Sequence, residues 1–256
     1  MSHLVFASTL AVLMLFGAVA AQAQAVSSQP REAAARAAQQ TAADKSRAAI
    51  EAERTRPRLS GLWRLSAPVT QLLTTEGKAP VLTPAGQKQV RGQTDPADRC
   101  LPPGTPRLMF TDAPFLLTQA PVKVTLFSQH RHVVRHVFLD GPLMLAEDAD
   151  PTWEGYSSGR WEGDALIIET AGFNGRQWIH ASGLPQSPGM KVTERLRLVD
   201  ANTLEDVLRI EDPAYYRSAF TTRVLFKRQP PGTELPEQEC SEKLLEYPLR
   251  EYAPPR

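Results

Sequence analysis

The stretch from Gly155 to Asn174, GYSSGRWEGDALIIETAGFN, limits the fold more than any other. Ser158 to Trp161 run into Glu162-Gly163-Asp164, a turn-forming triplet. Ala165 to Thr170 follow as an apolar, β-branched run that Gly172 and Asn174 end. Short apolar runs bounded by Gly, Asn and Asp read as two strands joined by a tight turn. Gly155 to Gly159 also match G-x-S-x-G, but no apolar strand precedes the motif and a strand rather than a helix follows it. That context argues against a nucleophile elbow.

The same rhythm fills the chain on either side. Leu59-Ser60-Gly61-Leu62-Trp63 reads as a first strand. Leu108 to Thr111, Phe115 to Gln119, Val122 to Ser128 and Arg131 to Leu139 read as four more before the loop at Asp148 to Thr152. Met190 to Val199, Leu204 to Ile210 and Ala219 to Lys227 read as three after it. Thr83-Pro84 has the N-cap then N1-proline form and predicts a short helix through about Val90. The Pro-rich segment Asp95 to Pro106 and the tail with Pro230, Pro231, Pro236 and Pro248 predict irregular chain. Many strands joined by short turns predict a mainly β domain, an antiparallel meander. Its apolar face must be buried, so the sheet closes as a barrel, calycin-like in one version, or packs as a sandwich.

Leu4 to Ala20 is an unbroken small and apolar run, followed by Ala21-Gln22-Ala23 and Ala23-Gln24-Ala25. This is the layout of a secretory signal peptide over residues 1–25, although the usual positive n-region is missing. It predicts a periplasmic or secreted protein with no membrane span after cleavage. Residues 26–57 are expected to hold a mostly polar linker, Val26 to Pro30, and an Ala-rich solvated helix, Arg31 to Arg56. That helix has one large apolar residue, Ile50, so no stripe with which to dock on a core. A protein partner is the alternative role for it. Residues 58–256 are expected to form the β domain. The formal net charge of +1 argues against a general nucleic-acid binder. The two cysteines, Cys100 and Cys240, would be free to bridge in an oxidising compartment, and spacing alone leaves two separate thiols open.

The segments LSGLW, CLPPGTPRLM, HVVRHVFLDG, WEGYSSGRWEGDALIIETAGFN and MKVTERLRLVDANTLE resemble a family of signal-peptide-bearing bacterial secreted proteins that share a G-R-W-E-G-D core. His132, Arg135, Asp140, Trp161, Glu162, Asp164, Glu194 and Arg195 fall on matching positions. The family often has an H-S-D-like run where this chain has Gln186-Ser187-Pro188. The resemblance implies a secreted β-rich domain and no particular reaction.

His130, His132 and His136 would share one face of a strand. His132 and His136 would then lie about 13 Å apart, too far for one metal ion. Only His130 and His132 could chelate together, with a third ligand from elsewhere; no other cofactor is expected. Glu194 shares its face with Met190, Val192, Leu196 and Leu198, and Asp206 sits among Leu204, Leu208 and Ile210. A three-residue loop at Ala201 to Thr203 would pair Leu198 with Asp206 and Leu196 with Leu208, turning both acids inward. A one-residue slip would set Glu194 opposite Arg209 and Arg197 opposite Asp206. The cost of an unpaired buried acid favours those ion pairs. Glu162 and Asp164 flank a turn glycine, with Arg160 as the expected partner. Trp153, Trp161 and Trp178 are expected in the core or at its rim.

These residues predict a domain that binds a small, partly apolar molecule. His132, Arg135, Tyr156 and Glu194 are the candidate ligand-binding groups. The alternatives are an isomerase, lyase or hydrolase using His132 as base with Glu194 or Asp164, and an envelope interaction protein without a ligand.

Overall fold

The computed structural model describes residues 8–90, 95, 100–139, 141 and 149–237, with side chains from residue 31 onward. Asp140 and Cys240 therefore lie outside the described residues. The chain divides into two compact units, Met1–Arg54 and Thr55–Arg256. The first carries the helix α1 (Ser8–Thr55), which runs through Val26 to Pro30 where a linker was expected. Ala and Gln before this stretch, and Ala, Arg and Glu after it, are good helix formers and carry the helix across. From Arg31 its side chains are almost all exposed, as the missing apolar stripe predicts. Among the described residues no helix is long and apolar enough to cross a membrane.

The second unit is a closed barrel of nine strands. In chain order these are β1 (Gly61–Leu65), β2 (Phe115–Ala120), β3 (Lys123–Ser128), β4 (Val134–Phe138), β5 (Tyr156–Glu162) and β6 (Ala165–Ala171), then β9 (Lys191–Asp200), β10 (Thr203–Glu211) and β11 (Phe220–Arg228). A separate two-stranded sheet, β7 (Trp178–His180) and β8 (Leu184–Pro185), interrupts the sequence between β6 and β9. Helix α2 (Pro84–Val90) starts where the proline signal puts it, and the Gly86 N–H donates to the Thr83 hydroxyl at 3.1 Å. The sheet closes because β1 pairs with both β2 and β11, so the sandwich alternative falls away.

Gly155 to Asn174 forms the expected ribbon. β5 and β6 pair from Tyr156↔Ala171 to Glu162↔Ala165 around Gly163 at φ 61. Two expected strands change. Leu108 to Thr111 lies instead in a buried 3-10 turn, Arg107–Phe110. The strand expected from Arg131 starts only at Val134, because His130–His132 form a second such turn with Arg131 at φ 60 and His132 at φ 51. The meander is also not wholly antiparallel. β4 and β5 run parallel and pair at only two positions, Val137↔Ser157 and Phe138↔Ser158.

Inward-facing residues alternate along each strand and fill the barrel. Trp63, Phe115, Leu117, Leu166, Leu208 and Phe226 are among those fully buried. Each such side chain contributes about 1.5–3 kcal/mol on removal from water. The β9–β10 register sets Leu198 opposite Leu204, Leu196 opposite Asp206 and Glu194 opposite Leu208, with an irregularity at Thr203. This lies two residues from the three-residue-loop register. Side-chain facing repeats every two residues, so Glu194 and Asp206 still point into the barrel. The cross-strand ion pairs of the slipped register do not form.

Candidate functional site

On β4 the outward residues are Val134, His136 and Phe138, and the inward ones are Arg135 and Val137. Arg135 is 2% exposed and Glu194, across the interior on β9, is 0% exposed. The guanidinium Nη1 donates to Glu194 Oε1 at 2.9 Å, and Nη2 donates to Glu194 Oε2 in a very short contact. Nη2 also donates to Thr170 Oγ1 at 2.8 Å, and Nε donates to Ser157 Oγ at 3.2 Å. Glu194 thus finds its partner on β4 rather than on β10. A bidentate pair with two hydroxyls is the arrangement that lets opposite charges stay buried.

Ser157, the middle of the G-x-S-x-G match, faces inward on β5 and shares a 2.9 Å hydrogen bond with Thr170. Its hydroxyl holds Arg135 in place, and no helix follows it, so the elbow is absent. Asp206 is 0% exposed and neither of its carboxylate oxygens has a partner. Burial, with the charge of Glu194 adding to it, holds this carboxyl well above the usual range, although Arg135 pulls the other way.

Because β4 and β5 join at only two positions, the wall opens beside the join. A cleft of about 820 Å³ lies there. Its floor includes Arg135, Glu154 and Ser157, and its walls include Val134, Phe138, Trp153 and Tyr156. Arg131, His132 and His136 also line it. Three of the four candidate binding groups, His132, Arg135 and Tyr156, therefore meet in one place. Glu194 does not line the cleft but holds Arg135 from behind. The Tyr156 hydroxyl donates to the Asp150 carbonyl at 2.8 Å.

Glu154 was not singled out in the sequence, where it falls between the loop at Asp148 to Thr152 and the stretch that begins at Gly155. Its Oε2 accepts a 2.8 Å hydrogen bond from the Thr105 hydroxyl, and its Oε1 is sealed from solvent without a partner. Burial pushes this carboxyl up and the Glu194 charge adds to that. The Thr105 hydrogen bond and the Arg135 charge oppose the shift without cancelling it.

The three histidines do not share a strand face. His130 and His132 lie in the 3-10 turn, and only His136 is on β4. Among the described residues no three His, Cys, Asp or Glu side chains converge as a set of metal ligands. Burial and the charges of Arg131 and Arg107 also push His130 down. Of the two turn acids, Glu162 meets the expected Arg160 at 2.9 Å, whereas Asp164 pairs with Arg195 at 3.7 Å, and Arg160 turns its other nitrogen to Glu169 at 2.5 Å. In the loop at Gln186-Ser187-Pro188, the Ser187 N–H and hydroxyl both donate to Asp212, at 2.8 and 2.7 Å. Cys100 is disulfide-bonded.

Comparison of the sequence with protein-family models finds no match, and a search of curated proteins finds none.

Proposed function

We propose that this chain is a periplasmic or secreted β-barrel that binds a small, partly apolar molecule in the cleft between β4 and β5. The observation that carries this is the two-position join, which leaves a cleft of about 820 Å³ with an aromatic and aliphatic wall over a charged floor. Pockets for small ligands commonly fall in this size range and pair apolar walls with a few placed polar groups. Two consecutive non-glycine residues with positive φ, Arg131 and His132, line the same cleft. Such strain concentrates at functional sites. The compartment rests on the apolar leader, and a disulfide-bonded Cys100 suits it. The kinship with signal-bearing proteins sharing the G-R-W-E-G-D core belongs to the same proposal.

An enzyme using His132 with Glu194 or Asp164 is not favoured. Glu194 is taken up by Arg135 behind the cleft, and Asp164 sits in the β5–β6 turn. A partner for α1 has no apolar stripe to rest on.

Native mass spectrometry of protein purified from its own cell envelope tests the reading, with Val134→Trp filling the cleft. The expected result is a co-purifying small molecule on the wild-type chain and its loss in the variant. Equal occupancy of both proteins, or an empty wild-type chain that also fails to bind amphiphilic aromatic probes, would refute it.

A further inference from the structure

Resting on the cleft as a binding site, we infer that its ligand is a short peptide in extended form, which adds to the open edge of β4 through main-chain hydrogen bonds. The strand registers define that edge. The Ser128 N–H donates to the Val133 carbonyl at 2.9 Å, and the Leu139 N–H donates to the Val122 carbonyl at 2.9 Å. Both pairs continue the β3–β4 register, in which Phe127 lies opposite Val134 and Leu126 opposite Arg135. Hydrogen-bonded and non-hydrogen-bonded pairs alternate along an antiparallel ladder. Val133, Arg135, Val137 and Leu139 therefore turn their backbone groups to β3. Val134, His136 and Phe138 turn theirs to the other side.

On that side β5 takes only part of the edge. The parallel bridges Val137↔Ser157 and Phe138↔Ser158 engage the His136 carbonyl and both backbone groups of Phe138. A further rung would need the chain to run straight back before Tyr156. Gly155 at φ 67 turns it away instead. A Cβ at Gly155 would stand 2.8 Å from the Ala171 carbonyl oxygen, so the turn is pressed against β6 and suits glycine. The Val134 N–H, the Val134 carbonyl and the His136 N–H are left facing the cleft that Val134, His136 and Gly155 line.

Two donors and one acceptor spaced along a strand edge match an extended peptide backbone, whichever way it runs. A hydrocarbon meets none of the three, and a lone carbonyl meets one. From Val134 to His136 the edge has room for about three ligand residues, each rising about 3.3 Å. Side chains on the added strand alternate as those of β4 do. One beside Val134 falls on the outer face with Phe138 and Tyr156, where an apolar group packs. The next lies over Arg135 and Ser157, where a small polar group fits.

The probe is acetyl-Val-Ser-Val-N-methylamide, together with forms N-methylated at one residue at a time. Binding to the isotope-labelled full chain is followed by the amide resonances. The Val134 and His136 amide protons are expected to move downfield, and that of Arg135, which faces β3, to stay. N-methylation is expected to weaken binding roughly tenfold at the two valines or at the serine, but not at both. Loss at the valines marks an antiparallel strand, and loss at the serine a parallel one.

Val134→Pro deletes one donor and spares the β3 ladder, since that N–H points away from β3. Val133 at φ −71 and ψ 133 already suits the position before a proline. This variant should bind the peptide roughly tenfold more weakly, and Val134→Ala, which keeps the N–H, should lose less. Anilinonaphthalenesulfonate, an aromatic probe that needs no strand edge, should bind the wild type and Val134→Pro. Its binding without any peptide binding would overturn the peptide and leave the cleft as a site. So would peptide binding that is equally sensitive to N-methylation at every residue, moves neither amide, or is unchanged by Val134→Pro. Failure of both probes on the wild-type chain would overturn the cleft as well.

Discussion

Replacing Glu194 by Gln tests whether the buried ion pair organises the barrel interior. Arg135 is 2% exposed and Glu194 0% exposed, so neither charge can turn to water. The glutamine keeps one acceptor for the guanidinium but sets an NH₂ group against the other N–H, and it removes the balancing charge. Breaking a buried pair by deleting one partner costs about 3–5 kcal/mol. At about 2–4 °C per kcal/mol for a domain of this size, the melting temperature should fall by roughly 6–20 °C. Asp206 complicates this in a definite direction. The charge of Glu194 helps to keep its carboxyl neutral, while Arg135 favours its ionisation. With Glu194 gone, Asp206 should ionise and partly replace it. The loss should therefore be smaller at high pH than at low pH. Combining Glu194→Gln with Asp206→Asn should cost more than the sum of the two. Replacing both members of the pair by apolar residues, Arg135→Met with Glu194→Leu, should recover most of the loss. Urea titrations of the wild type, the two single variants and the two double variants across pH provide the measurement. A loss under about 1 kcal/mol for Glu194→Gln would refute the reasoning, since a pair that can be broken so cheaply is not holding a buried charge.

Asp206→Asn alone should have the opposite sign. A carboxyl raised in the folded state favours folding below its unfolded value of about 3.9, and that advantage is lost as pH rises through the folded value. The variant should therefore gain stability over wild type as pH rises above about 4, and equal stability across pH would count against a neutral Asp206. Glu205 runs the other way. It lies on the outer face with Arg197 at 2.6 Å and Arg223 at 2.5 Å. Burial works against its charge, but the Arg223 hydrogen bond and the two arginine charges outweigh this and pull its carboxyl down. Glu205→Gln should cost about 1 kcal/mol near neutral pH, because both arginines are partly exposed and screened. The difference should shrink as pH falls through the depressed carboxyl, and a cost that persists in acid would mean that packing rather than charge is involved.

The sequence disclosed local features well and distant pairings poorly. The β5–β6 ribbon was legible because Glu162-Gly163-Asp164 and the run Ala165 to Thr170 carry turn and strand signals within a few residues of each other. The inward facing of Glu194 and Asp206 was legible although the register was not, since alternation survives a shift of two. The Arg135–Glu194 pair joins positions 59 residues apart, and no local pattern records which inward arginine meets which inward acid. The histidine cluster misled because its spacing of two fits a strand, while Arg131 and His132 adopt positive φ and break it. Glu154 left no trace, because only the third dimension shows that Thr105 and the cleft floor enclose it.

The parallel join of β4 and β5 also decides how the native barrel loosens. Every other neighbouring pair in the barrel is antiparallel and spans at least three rungs, whereas this one spans two. Amides near Val137 and Ser157 should exchange with deuterium earlier than those of β9 and β10, whose ladder is the longest in the sheet. A barrel hinged in this way opens along one stave, and the widening would begin above the carboxyl of Glu154.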